Sequence, residues 1–188
     1  MALAARRDAP MGVADYRVWV EARPDAERWE LLDGQPVLMA PASERHNLIT
    51  FNLARGLAAL AQAIGCRVTQ GTAVVNDFAD DYAPVPDLVL RCGPLLDDGY
   101  ARDPILVAEV LSPSTIVADR GRKFAFYEAL QTLRTILLVY QDEARVEVWC
   151  RRGAAWDYEV SGPDGAIDLP GLGGPIPISA VYDGVPLN

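Results

Sequence analysis

Lysine and histidine are almost absent from this sequence of 188 residues, although lysine and arginine together number 17. Lys123 is the only lysine, so the other sixteen are arginine, and His46 is the only histidine. A preference for arginine can reflect a GC-rich coding background, which has no functional meaning. A position that keeps lysine against that background is a candidate for a role that needs an amine, because a guanidinium is planar and too basic to exchange a proton.

Long hydrophobic runs are also missing. No stretch approaches 18 uninterrupted apolar residues, which excludes a transmembrane helix. The first residues lack the order of a signal peptide, because their arginines follow a very short apolar run instead of preceding a long one. We therefore expect a cytoplasmic protein that does not associate with membranes.

Cysteines are few, and no CxxC pattern occurs. The three cysteines, Cys66, Cys92 and Cys150, are odd in number and far apart, which argues against a disulfide framework and against a zinc site. We expect three buried thiols.

Basic residues are outnumbered by acidic ones, with a formal net charge of −9. This balance excludes a protein that coats nucleic acid by charge alone, but it is compatible with local contacts. Apolar residues at 51% and charged residues at 23% are typical of a globular protein. The length suits one domain, which we expect over residues 14–188 after a flexible tail over residues 1–13.

Hydrophobic periodicity and turn signals predict a mixed arrangement of helices and strands. In chain order, the pattern predicts a helix over 14–22, a hairpin over 28–39, a helix over 43–64, strands over 66–75, 85–91 and 104–111, a helix over 118–131, and strands over 135–140 and 145–151. Ser43 is the expected N-cap of the second helix and Gly65 its expected stop. This order predicts an α/β (α+β) fold, with a mixed sheet flanked by helices and an extra N-terminal hairpin.

One acidic residue interrupts the most apolar strand. Residues 105–111 are apolar on both alternating faces, which is typical of a central strand, and Glu109 is their only charge. An ionised carboxylate there is costly unless it is paired or bound to a metal. Asp87 begins the preceding strand, so neighbouring strands could bring both carboxylates to one point, a set of oxygen ligands that Mg²⁺ prefers. Lys123, in the following helix, would stabilise negative charge at such a site.

Each of these residues also has an ordinary interpretation. Pro86-Asp87 is a common turn signal, a glutamate late in a strand often pairs with arginine, and a lone lysine on a helix is usually solvated. The order of the three along the chain is what favours phosphoryl chemistry at a metal.

Three runs of sequence carry a resemblance to a known family. They are Val85-Pro-Asp-Leu-Val-Leu90, Pro104-Ile-Leu-Val-Ala-Glu-Val-Leu-Ser-Pro-Ser-Thr115 and Asp119-Arg-Gly-Arg-Lys-Phe-Ala-Phe-Tyr127. Together with Trp29-Glu-Leu-Leu-Asp-Gly34, Ser43-Glu-Arg-His-Asn47 and Arg145-Val-Glu-Val-Trp149, they resemble the Uma2 family, which is classed among restriction-endonuclease-like nucleases. The resemblance covers residues 14–182.

The resemblance implies the PD-(D/E)xK nuclease fold, in which two acids bind a divalent metal ion, Mg²⁺ or Mn²⁺. By their match to the motif, these acids are Asp87 and Glu109. The superfamily usually has lysine two positions after the second acid, where this chain has Leu111, and the family's lysine on the following helix corresponds to Lys123. His46 matches a family position near such a site.

Three further residues are weaker site candidates. Glu44 and Glu30 match acidic positions of the family motifs, and Arg120 lies three residues before Lys123, where it could form a small basic spot with it.

The resulting hypothesis is an endonuclease that hydrolyses phosphodiester bonds of DNA with a Mg²⁺-bound water, acting on double-stranded DNA as a homodimer. Asp87, Glu109, Lys123 and His46 would be its catalytic residues. One alternative is a catalytically inactive nuclease fold that binds nucleic acid or a protein partner, which the net charge and the missing strand lysine favour. Another is an interaction role through apolar strands, with the edge at residues 135–140 pairing two copies.

Overall fold

The computed structural model describes residues 3–4, 9–112 and 119–187, which group into two units. The first unit comprises Met1–Pro41, Gly71–Val85 and Leu96–Arg102, and the second comprises Ala42–Gln70, Pro86–Leu95 and Asp103–Asn188. The single domain predicted over residues 14–188, after a flexible tail over residues 1–13, stays a prediction.

The described residues form strands and helices with the following bounds. The strands are β1 (Leu3–Ala4), β2 (Trp29–Leu32), β3 (Gln35–Leu38), β4 (Arg67–Thr69), β5 (Ala73–Val74), β6 (Leu88–Arg91), β7 (Tyr100–Ala101), β8 (Leu106–Leu111), β9 (Thr135–Tyr140), β10 (Val146–Arg152), β11 (Ala155–Ser161), β12 (Ala166–Ile167) and β13 (Ile176–Pro177). The helices are α1 (Val13–Glu21), α2 (Glu44–Ala63), α3 (Phe124–Ala129) and α4 (Ile178–Val181), with short helical turns at Asp119–Lys123 and Pro170–Leu172. None of these helices is both long enough and apolar enough to cross a bilayer.

A six-stranded mixed sheet is the centre of the second unit. Its strand order is β11-β10-β9-β8-β6-β4, and β8 and β9 are parallel whereas the other neighbours are antiparallel. All six residues of β8 are buried, as expected for a strand with neighbours on both sides. The predicted fold class, a mixed sheet with helices against it, is confirmed.

Helix α2 packs on the sheet through one apolar face. Ile49, Leu53 and Leu57 recur at helical spacing, are fully buried and belong to the same core as Leu88 and Leu106. The predicted cap and stop are both found, because the Ser43 hydroxyl oxygen accepts a hydrogen bond from the His46 amide at 3.1 Å and Gly65 has a φ of +71°.

The first unit contains the predicted N-terminal hairpin. Strands β2 and β3 pair antiparallel around Asp33 and Gly34, whose φ values of +51° and +72° suit a tight two-residue turn. Strand β1, at residues 3–4, adds to β3, and α1 contributes the buried Tyr16 to a small separate core with Leu31.

The structure differs from the predicted elements in the central sheet and in the helix after β8. The strand predicted over 66–75 divides into β4 and β5 because Gly71, with a φ of +67°, interrupts it. The helix predicted over 118–131 consists of the turn Asp119–Lys123, broken at Gly121 (φ −98°, ψ −106°), followed by α3, and residue 118 lies outside the described part. Strand β11 was not predicted, and it forms one edge of the sheet, so β9 (135–140) is an interior strand and not the edge that was expected to pair two copies.

The expectation of three buried thiols is wrong, because two of the cysteines are bonded to each other and the third, Cys150, is only partly buried. Strands β4 and β6 pair with Arg67 opposite Arg91, so the next position of the same register places Cys66 opposite Cys92. These two residues form a disulfide, and Cys150 is free. The two cysteines are 26 residues apart in the chain, and only the pairing of β4 with β6 brings them together.

We expect reduction of the Cys66–Cys92 disulfide to lower the free energy of unfolding by about 2–4 kcal/mol, because the bond restricts the unfolded chain. Urea unfolding with and without dithiothreitol measures this difference. The variant Cys150→Ser should keep the effect of the reductant, whereas the double variant Cys66→Ser/Cys92→Ser should abolish it. Three titratable thiols in the denatured, unreduced protein would contradict the pairing.

Candidate active site

The two predicted metal-binding carboxylates lie at facing positions of neighbouring strands. Strands β6 and β8 pair with Leu88 opposite Ala108, so the next position of this register places Asp87 opposite Glu109. Oδ2 of Asp87 accepts a hydrogen bond from the amide of Val110 at 2.7 Å, which ties the beginning of β6 to the end of β8. The structure therefore brings the two acids to one end of the sheet.

His46 joins this group from the first turn of α2. The Ser43 cap fixes the start of the helix, and Nε2 of His46 lies 3.2 Å from Oδ2 of Asp87. On the other side of the ring, Nδ1 is 3.5 Å from the hydroxyl of Thr50, which itself donates to the carbonyl oxygen of His46 at 2.8 Å. The imidazole is thus held between the hydroxyl of Thr50 and the carboxylate of Asp87.

Glu109 and Lys123 form a buried ion pair. Their residues are only 4% and 5% exposed, and Nζ of Lys123 lies 3.7 Å from Oε1 of Glu109. The hydroxyl of Tyr127, a fully buried residue, donates to the same oxygen at 2.7 Å. A carboxylate in an apolar strand loses its hydration, and an ammonium and a hydroxyl within reach offset that loss.

The chain brings Lys123 and Tyr127 to Glu109 through the start of α3. The two residues are four apart, which places their side chains on one face of a helix. The backbone leaves helical geometry at Gly121, two residues before Lys123. Tyr127 was not predicted as a site residue, although its four-residue spacing from Lys123 is a signal that the sequence contains.

The three weaker candidates have the following surroundings. Glu44 is exposed in the first turn of α2. Glu30 lies on β2 in the first unit, where it is buried and accepts a hydrogen bond from the amide of Val85 at 3.3 Å. The guanidinium of Arg120 pairs with Glu147, on β10.

Glu147 is the centre of a second polar group in the second unit, which sequence reasoning missed. It is buried, and its Oε1 accepts hydrogen bonds from Arg120, from the hydroxyl of Tyr140 at 2.8 Å and from Arg145 at 3.1 Å. Oε2 accepts from Nε1 of Trp149 at 3.4 Å. Strand alternation places Glu147 on the same face as Arg145 and Trp149, and these two possible partners were the signal.

In this second group, the pKa values of Arg120 and Tyr140 are both raised. Burial lowers the pKa of Arg120, but the hydrogen bond with Tyr140 and the charge of Glu147 outweigh it and leave that pKa above the usual value. Burial and then the hydrogen bond to Glu147 raise the pKa of Tyr140. Arg120 is therefore cationic and Tyr140 neutral over the range in which proteins are normally folded.

The chemistry of the first group is compatible with a hydrated divalent ion. Among the residues that the structure describes, no set of three or more His, Cys, Asp and Glu side chains is arranged to hold a metal. Asp87 and Glu109 would have to share such an ion with water and with substrate oxygens, which is how Mg²⁺ is commonly bound. The Asp87 side chain is one-fifth exposed, so water reaches this end of the sheet.

We expect the Glu109–Lys123 pair to show strong energetic coupling. Lys123→Met should cost about 3–5 kcal/mol of unfolding free energy, because it leaves a buried carboxylate without its counter-charge. The double variant Lys123→Met/Glu109→Gln should cost clearly less than the sum of the two single variants. Urea unfolding of the four proteins measures this cycle, and additive costs would contradict the buried pair.

Tyr127→Phe serves as the matched control in the same experiment. It removes one hydroxyl from Glu109 but keeps the ring and the ammonium, so we expect a cost of about 1–2 kcal/mol. A cost as large as that of Lys123→Met would indicate that the hydroxyl, and not the ion pair, carries the stability.

Comparison with known proteins gives the family and the fold. The sequence model of the Uma2 family, which is described as "Putative restriction endonuclease", matches residues 13–174. Two uncharacterized proteins of Synechocystis sp. are similar: slr1290 is 25% identical over 177 residues, covering 91% of this chain and 90% of the relative. The other, sll1609, is 33% identical over 136 residues, covering 68% of this chain and 74% of the relative.

A solved structure has the same fold. It is the crystal structure of a chain from Anabaena variabilis that is titled a putative nuclease belonging to DUF820, with a TM-score of 0.70 and 16% identity. The similarity covers 94% of this chain and 100% of that chain. The resemblance that the sequence motifs indicate is confirmed, and this chain belongs to the Uma2 family.

Proposed function

We propose that this protein is a metal-dependent endonuclease that hydrolyses phosphodiester bonds of DNA. The observation that carries the proposal is the meeting of two acids, at facing positions 87 and 109, with one buried ammonium and one imidazole. Membership of a family described as restriction-endonuclease-like supports it.

Asp87 and Glu109 would hold Mg²⁺ or Mn²⁺ at this end of the sheet. The hydrogen bond from Val110 to Asp87 and that from Tyr127 to Glu109 fix one oxygen of each carboxyl group, so both acids are oriented before any ligand arrives. When bound there, a divalent ion would activate water and offset the charge of the reacting phosphate.

Lys123 supplies a compact positive charge beside the reacting phosphate. Its position on the helix following β8 replaces the more usual position two residues after the acid, where Leu111 stands. From this position, Nζ still lies 3.7 Å from the Glu109 carboxylate. A fixed ammonium stabilises the negative charge that grows on the phosphate oxygens as the water oxygen bonds to phosphorus.

His46 orients Asp87 and is placed to move a proton. Its Nε2 contacts the Asp87 carboxylate, and a histidine exchanges protons near neutral pH. In the hydrolysis, the water oxygen bonds to phosphorus, the bond from phosphorus to the ester oxygen breaks, and a proton passes to that leaving oxygen.

Double-stranded DNA and a homodimer complete the proposal. A symmetric pair of this chain would provide two active sites, so that one complex could cut both strands of a duplex.

A second candidate function is nucleic-acid or protein binding without catalysis. The ion pair of Lys123 with Glu109 favours this second function, because the ammonium stabilises the fold whether or not a phosphate ever binds. The absence of a third metal-ligating side chain among the described residues also favours it.

We expect Mg²⁺- or Mn²⁺-dependent nicking of supercoiled plasmid DNA, with loss of at least about 100-fold in rate for Asp87→Asn and for Glu109→Gln. Lys123→Arg should also lose activity, because the longer planar fork cannot take the place of the ammonium. Agarose gels of time courses with Mg²⁺, Mn²⁺ or EDTA measure these rates, and circular dichroism checks that each variant is folded.

The control variant is Asp164→Asn, which changes an exposed acid in the turn after β11 and should keep full activity. DNA binding in EDTA with no cleavage when metal is returned would favour the binding function. No cleavage of any DNA substrate and no binding of Mn²⁺ by calorimetry would overturn the proposed function.

A further inference from the structure

A row of aromatic rings crosses the hairpin of β10 and β11. Trp149 and Tyr158 are directly opposite each other across the hairpin, and their rings stack with centroids 4.6 Å apart. Phe124, the first residue of α3, packs edge-on against Trp149 at 4.7 Å. Tyr158 is 54% exposed, so the outer end of the row presents an aromatic ring to solvent.

Two guanidinium groups lie beside this row. Arg120 and Arg145 share the buried carboxylate of Glu147, and Arg145 also contacts the exposed carboxylate of Glu143 at 3.4 Å. Their side chains are 38% and 36% exposed, whereas that of Glu147 is 2% exposed. The buried carboxylate therefore orients two guanidinium groups whose outer parts are accessible to an anion. Trp149 donates to the same glutamate, so the cations and the rings belong to one surface.

This surface, which we call the strand-binding face (Arg120, Arg145, Trp149 and Tyr158), is continuous with the candidate active site. Phe124 directly follows Lys123, whose ammonium contacts Glu109. Tyr140, which donates to Glu147, is opposite Leu111 in the parallel pair of β8 and β9, two residues beyond Glu109. A nucleic-acid strand leaving the active site would meet the rings and the arginines next.

We propose that the strand-binding face holds an unpaired segment of the nucleic acid, with phosphates at Arg120 and Arg145 and a base stacked on Tyr158. This inference rests on the proposed function and narrows its substrate class. In the interior of a duplex the base faces are already covered by their neighbours, so away from the duplex ends an exposed ring can receive only an unpaired base. Aromatic rings interleaved with cations are the usual means by which proteins bind single strands.

The charges of β11 disfavour the other use of this hairpin, which is pairing with a second copy. Strand β11 is an edge strand, but it carries Asp157 and Glu159, and like charges on an edge oppose the approach of an identical strand. The preferred substrate is therefore a duplex with a single-stranded tail or gap next to the cleavage position.

Binding without cleavage tests this inference directly. Fluorescence anisotropy in EDTA would compare a blunt DNA duplex with the same duplex carrying a thymidine tail of about 10 nucleotides. We expect the tailed duplex to bind more tightly, and Tyr158→Ser to weaken that binding about 5- to 100-fold while leaving the blunt duplex unchanged. Tyr158→Phe should restore the affinity, because it keeps the ring. A uridine tail should behave like the thymidine tail, since stacking does not use the sugar.

Phe78→Ser is the matched control, because Phe78 is also an exposed aromatic residue but lies in the first unit. Equal affinity of Tyr158→Ser and the wild-type protein for the tailed duplex would overturn the inference, and so would an effect as large for Phe78→Ser. A change of oligomeric state in light scattering for Tyr158→Ser, with unchanged DNA affinity, would assign the face to self-association instead.

The same design separates the two proposals. Tyr158-dependent binding of the tailed duplex without any cleavage in Mg²⁺ or Mn²⁺ would keep the strand-binding face and overturn the nuclease activity. Cleavage of blunt and tailed DNA at equal rates by the wild-type protein and by Tyr158→Ser would keep the nuclease activity and overturn the strand-binding face.

Discussion

The burial of the Glu109 carboxylate constrains the site more than any other interaction. A charge in the middle of the most apolar strand of the sheet would be unstable alone, because it has lost the water that solvates it. The chain offsets this cost with Tyr127 and Lys123, both from the segment that follows β8. Lys123 immediately precedes α3 and Tyr127 lies within it, so the start of this helix brings both polar side chains to the carboxylate. The same ion pair that stabilises the fold places an ammonium beside an acid at the open end of the sheet.

The open end is assembled from elements that are distant in the chain. Antiparallel pairing of β6 with β8 brings Asp87 opposite Glu109, and the amide of Val110 holds Asp87 in that place. The capped first turn of α2 adds His46. Asp87 and His46 each lie at the start of an element, where a polar side chain can reach its partners without disturbing the apolar layer between α2 and the sheet.

Two buried glutamates each organise a polar group on the sheet. Around Glu109, two acids meet one ammonium and one imidazole. Around Glu147, two arginines meet this acid, and one of them, Arg145, also contacts the exposed Glu143. Strands β8 and β9 link them through the pairing of Leu111 with Tyr140. With a net charge of −9, contact of this chain with a polyanion depends on such local groups and not on its overall charge.

The sequence by itself determined the mixed fold, the capped helix α2, the N-terminal hairpin and the lone charge of Glu109 in an apolar strand. These follow from local signals: periodicity, turn residues, and single charges in apolar runs. The tertiary structure decided what depends on register between distant segments. Three features were not predicted: the disulfide of Cys66 with Cys92, the pairing of Arg120 with Glu147, and strand β11. Tyr127 was recognised as a site residue only from its hydrogen bond to Glu109 in the structure. Periodicity shows which face a side chain occupies but not which strand lies next to it, so the partner of each buried charge is known only once the strands are aligned.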